Sequence, residues 1–79
     1  MKKVKLIWDF RGPEAQKIAE HHVIHLNQFA EKENLEYSQA GDKELTEMYS
    51  LAYMIVAESD MLKVRDALKP HRGEHVLEG

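Results

Sequence analysis

Apolar and polar residues alternate over Lys3 to Phe10, with Val4, Leu6, Trp8 and Phe10 on one side and Lys3, Lys5, Ile7 and Asp9 on the other. Successive side chains of a strand leave opposite faces, so this period of two predicts a β-strand. One face is wholly apolar and the other half polar. That pattern fits a sheet covered by helices on one side only.

The period then lengthens. Between Gly12 and Leu35, residues Ala15, Ile18, Ala19, Val23, Leu26, Phe29 and Ala30 share one arc at about 100° per residue. Lys17, Glu20, Asn27, Gln28 and Glu31 lie opposite, and Ile24 points outward. Pro13 suits a first helical turn, where its missing N–H costs nothing. Glu14 sets a negative charge beside the positive end of the helix dipole. Asn34 tolerates the left-handed conformation that ends a helix.

Leu35 to Ala40 predicts a short second strand, with Gly41-Asp42 as the turn after it. The run from Met48 to Ala57 is apolar on every side except at Ser50, and it is rich in β-branched and aromatic residues. A surface helix needs a polar face, whereas a central strand buried on both faces does not. A strand is therefore expected; helices over residues 43–69 are the alternative. The strand offers two apolar sets, Tyr49, Leu51, Tyr53, Ile55 and Met48, Ala52, Met54, Val56. Only one set can face the helices, and the other should lie on the open face beside Ile7. Ser59 or Asp60 is a candidate cap for a second helix. Met61, Val64 and Leu68 form its apolar stripe, Arg65 and Lys69 lie near its negative end, and Pro70 and Gly73 stop it. Glu74 to Leu77 reads as a last strand at a sheet edge.

The order strand, helix, strand, strand, helix, strand predicts an α+β, ferredoxin-like βαββαβ two-layer sandwich. It has a four-stranded antiparallel sheet with two helices on one face. Right-handed crossovers make the first and third strands central. The 79 residues suffice for one domain, 1–79, with a thin core.

Composition removes several chemistries. The 43% apolar and 32% charged residues fit an ordinary globular chain. There is no cysteine, so disulfides and thiolate metal sites are excluded. No apolar run approaches the ~20 residues that span a bilayer, and the apolar part of MKKVKLIWDF is too short for a signal peptide. A cytoplasmic protein with no membrane partner is expected. Basic residues are scattered apart from Lys2, Lys3 and Lys5, with no stripe interleaved with aromatics. Nucleic acid is therefore not expected as a partner. No phosphate-binding, dinucleotide, nucleophile-elbow or zincin motif occurs, so catalytic residues are unknown.

Three places hold candidate chemistry. His21, His22 and His25 stand at i,i+4 and i,i+3 on the first helix, a spacing that lets two imidazoles share a divalent metal ion. The plainer alternative makes His22 a core histidine and leaves the other two solvated. Arg11 and Gly12, at the start of that helix, are candidate anion ligands, although a glycine there serves equally as a turn residue. Ile7, Tyr49, Tyr53 and Met54 are the candidate dimer or ligand face.

Asp9 to Pro13, DFRGP, resembles the first turn of ACT-type regulatory domains, which join a first strand to a first helix through an acidic residue, Pro and Gly. The order here is Arg-Gly-Pro rather than Pro-Gly, and the likeness spans five residues. It implies the same general fold. Dimeric α+β-barrel proteins share that topology. The reading is therefore a small binding or interaction domain, homodimeric through its open sheet face and able to take a small molecule there. The alternatives are a metal-binding protein using the helix histidines and a small dimeric enzyme of the α+β-barrel type.

Overall fold

The computed structural model describes residues 2–76. The first strand is β1 (Lys3–Arg11), followed by helix α1 (Ala15–Lys32) and strands β2 (Ser38–Thr46) and β3 (Tyr49–Ala57). A single 3-10 turn, Glu58–Asp60, leads into helix α2 (Met61–Leu68), and strand β4 (Arg72–Val76) closes the order. All neighbours are antiparallel in the sheet order β2-β3-β1-β4. This is the βαββαβ ferredoxin-like arrangement, with β1 and β3 central.

Val4, Leu6 and Trp8 of β1 and Ala52, Met54 and Val56 of β3 join Ala19, Leu26, Ala30 and Val64 of the helices in one core. The even-numbered set of β3 therefore faces the helices. Met54 is fully buried there, so it does not belong to the open face on which it was a candidate. Side chains alternate strictly along a strand, and Tyr53 and Met54 cannot share a face. Trp8 fixes the second helix as well. Its indole Nε1 donates to the Leu68 carbonyl at 2.8 Å, at the last residue of α2.

Both helices end through left-handed residues. Asn34 has φ 51° and Lys69 has φ 48°. The Lys69 N–H donates to the Arg65 carbonyl, closing the last turn. Asp60 precedes α2 but makes no cap hydrogen bond through its side chain. Its Oδ2 instead accepts the Glu36 N–H at 3.0 Å, holding the loop that enters β2.

The second strand departs most from expectation. It begins at Ser38 and runs through Gly41 and Asp42, which pair with Tyr53 and Ala52 instead of turning. The chain reverses at Glu47 and Met48, after an irregularity between Glu44 and Thr46. Gly41 is needed mid-strand because the Tyr53 ring lies across its α-carbon, where a β-carbon would overlap the phenol. Leu35 lies before the strand, half-buried against the core. The fourth strand starts at Arg72 rather than Glu74, and Leu77 lies outside the described residues.

Helix α2 has only eight residues and buries one of them, Val64. The helical layer is consequently incomplete. Ile18 falls within the apolar arc of α1 yet is 47% exposed, while Ile24 points outward as expected at 55%. Among the described residues, no helix is long and apolar enough to cross a membrane.

Two substitutions should separate packing from backbone effects in urea unfolding. Leu26→Ala, at a fully buried position, should cost about 2–5 kcal/mol. Lys69→Gly relieves a left-handed residue at an exposed site and should raise stability by about 1 kcal/mol.

Candidate functional site

The pleat sends Lys3, Lys5, Ile7, Asp9 and Arg11 of β1 to the face away from the helices, opposite Ala57, Ile55, Tyr53, Leu51 and Tyr49 of β3. Gln39, Gly41 and Lys43 join them from β2, and Arg72, Glu74 and Val76 from β4. The expected apolar patch is not bare. Ile7 is 3% and Leu51 9% exposed, although no helix covers them. Basic side chains lie over the tyrosine rings of this face. Lys5 Nζ lies 4.6 Å from the Tyr53 ring centroid, and Arg11 Cζ lies 4.0 Å from that of Tyr49. Lys3 Nζ lies 4.2 Å from the centroid of Tyr37, which stands just before β2. Ammonium and guanidinium groups bind the negative faces of the rings while their stems shield the carbon beneath.

Lysines and arginines far apart in sequence thus meet on one face. The strands place five cations there, Lys3, Lys5, Arg11, Lys43 and Arg72, against two carboxylates, Asp9 and Glu74. That gives +3 on a chain whose total is −3. Among the described residues, Lys5, Arg11 and Lys43 have no carboxylate within ion-pair distance.

One end of the face is locked. Arg72 donates to Asp9 twice, Nε to Oδ2 at 3.0 Å and Nη2 to Oδ1 at 3.1 Å. The Tyr49 hydroxyl donates to Asp9 Oδ1 at 2.5 Å. The Asp9 N–H donates to His71 Nδ1 at 2.8 Å, extending the β1–β4 ladder past Ile7. Asp9 is therefore not the solvated strand end that its position suggests. The hydrogen bond from Arg72 holds its carboxyl below the usual range, with Tyr49 adding to the effect against partial burial. A carboxylate so stabilised is a poor proton acceptor. The cluster fastens β1, β3 and β4 together.

His21, His22 and His25 line one open cavity of about 340 Å³ with Glu14, Lys17 and Ile18, but their rings face different ways. His21 and His25 pack edge to face with centroids 4.7 Å apart on the exposed side of α1. His22 turns to the sheet instead, 4.9 Å from the Trp8 ring and 5.5 Å from Phe10. Its Nε2 is buried without a hydrogen-bond partner. Burial holds its pKa below the ordinary value, and the nearby His25 and His71 add to this. Among the described residues, no three His, Asp or Glu side chains converge as a metal site. The first turn does not offer the donor expected for an anion: the Gly12 N–H is spent on the Met48 carbonyl at 2.8 Å, and Arg11 lies over Tyr49. Gly12 has φ 115°, a conformation that tightens the turn before α1.

The chain matches no family model, no curated protein and no solved structure among those compared.

The two perturbed groups should appear in different pH windows of an unfolding series. His22 resists protonation when folded, so stability should be full above about 6.5 and fall as pH drops below that value. His22→Phe should remove that slope. Asp9 should contribute stability above about 3.8 that is lost as pH falls further, through its lowered folded value. Asp9→Asn should abolish this second slope and lower stability at neutral pH.

Proposed function

We propose that this protein is a binding domain for single-stranded nucleic acid, which it holds on the open face of its sheet. The observation that carries the reading is the set of three tyrosine rings, each carrying a cation, on a face of charge +3. Bases stack on aromatic rings irrespective of sequence, and phosphates are neutralised by lysine and arginine. A four-stranded sheet with exposed aromatics is one of the platforms on which proteins splay single-stranded bases. Tyr49 and Tyr53 lie four residues apart on β3, about 13 Å at ~3.3 Å per residue. On binding, Lys5 would leave the Tyr53 ring for a phosphate and free the ring to stack.

Nucleic acid was not expected because the basic residues are scattered along the chain. The sheet removes that premise, since alternate residues of distant strands share a face. The homodimer rested on a bare apolar patch, and its premise is also altered. A two-fold dimer through this face would set +3 against +3, and like charges across an interface cost several kcal/mol. The reading carries with it a cytoplasmic location, where single strands are plentiful.

The test is fluorescence anisotropy with labelled RNA and DNA oligonucleotides of about ten bases. Saturable binding should appear in low salt and weaken as salt rises. Lys5→Glu and Lys43→Glu should each lessen the salt dependence, by roughly 0.7 in logarithmic slope for every phosphate no longer neutralised. Tyr53→Leu should weaken binding by about 5- to 100-fold, as expected when one base at ~1–3 kcal/mol no longer stacks. A duplex or a polyglutamate peptide that binds as well would overturn the reading in favour of a general anion surface. No binding below about 100 µM, or sedimentation as a tight dimer that Lys43→Glu leaves intact, would also overturn it.

A further inference from the structure

A cavity of about 450 Å³ lies between α2 and β4, lined in part by the helix-facing residues Val4 and Leu6. Two features open it. Helix α2 stops after two turns and leaves β4 uncovered. Gly73, paired with Leu6 on that inner face, carries no side chain to fill the gap. A β-carbon there would come within 3.2 Å of Leu6 Cδ2, so the glycine keeps the cavity open and the strand close.

The lining has two chemical parts. Val4, Leu6, Met61 and Pro70 form an apolar floor and wall. Arg65 and His71 line it as well, together with Arg72 and Glu74 of β4. Arg65 meets Asp66 at 3.5 Å between exposed side chains, a pairing of small energetic value that leaves the guanidinium available. His71 Nδ1 accepts the Asp9 N–H, so a neutral His71 carries its proton on Nε2 and is a hydrogen-bond donor there. Glu58 lines the cavity near the start of α2, and His75 faces Val4 across the β1–β4 ladder.

We infer that this cavity binds a small organic carboxylate with a medium-length aliphatic body, its carboxylate held by Arg65 and His71 and its chain laid over Val4, Leu6 and Met61. The volume falls in the range of small-molecule sites, which pair an apolar lining with a few oriented polar groups. A phosphorylated or multiply charged ligand would have to bury charge against Leu6 and Met61. A wholly apolar one would leave the Arg65 and His71 donors unused. The apolar part of the site, Val4, Leu6 and Gly73, lies on the helix side of the sheet, while Arg72 and Glu74 of β4 border both places.

The experiment is an amide NMR titration of the full chain with octanoate, and in parallel with 1-octanol. Octanoate should bind saturably below about 1 mM, with shifts concentrated at Val4, Leu6, Met61 and Gly73. Octanol should bind at least fivefold more weakly. Arg65→Glu, on the exposed side of α2, should weaken octanoate at least fivefold, and Lys43→Glu on the open face should leave it unchanged. Shifts spread over the open face, equal affinity for octanol, or indifference to Arg65→Glu would overturn the assignment. So would the lack of any saturable shift.

Discussion

The two faces of β1 determine this molecule. It pairs with β3 over nine residues and with β4 over five, so both crossovers flank it. Its even residues supply the floor of the core, and its odd residues supply most of the charge on the open face. A one-residue slip would exchange the two sets and bring Lys3 and Lys5 under the helices. Burying unpaired ammonium groups there would cost far more than any local gain. The alternation in β1 therefore fixes its register against both neighbours.

The apolar odd set of β3 creates a difficulty that many two-layer sheets meet by association. Here it is met within one chain. Long basic side chains from β1 lie over the aromatic rings of β3 and of the segment before β2, and Ile7 and Leu51 on the same face are buried. The same arrangement concentrates positive charge on an otherwise acidic protein. Covering the rings and gathering positive charge are two consequences of one set of contacts.

The legible parts of the fold were those where polarity follows one period without interruption. The alternation of β1, the apolar arc of α1 and the all-round apolar run of β3 each identify their element. The left-handed end at Asn34 followed from its side chain. Strand β2 was misplaced because it is an exposed edge strand: Ser38, Gln39, Asp42, Lys43 and Glu44 give no hydrophobic alternation, and Gly41-Asp42 carries the chemistry of a turn. Only the cross-strand partner Tyr53 explains a glycine there. Of the candidate sites, Ile7, Tyr49 and Tyr53 share the open face. Met54 does not, because the parity of β3 depends on its pairing with β1. The shared position of Lys5, Arg11 and Lys43 was hidden for the same reason, as sequence spacing does not reveal which strands are neighbours. The cavity beside β4 was equally hidden, being a consequence of how short α2 is.

The open face is not uniform in stiffness. At one end Tyr49 is held through its hydroxyl by Asp9, which Arg72 holds in turn through two further hydrogen bonds. Moving that ring would disturb a charge-assisted network spanning three strands. At the other end Tyr53 is met by the Lys5 ammonium, and an exposed cation–ring contact is worth only about 0.5–1 kcal/mol. Lysine is also the more adaptable of the two cations, a point charge on a flexible stem, whereas Arg11 holds a planar guanidinium over Tyr49 at 4.0 Å. A ligand arriving on this face would find a preorganised anchor near β1's C-terminal end and a ring that small lysine movements uncover nearer its start. Ordering costs are then confined to the Lys3 and Lys5 end. That division favours a chain-like ligand, fixed at one point and accommodated along its length, over a rigid one that must match the whole face at once.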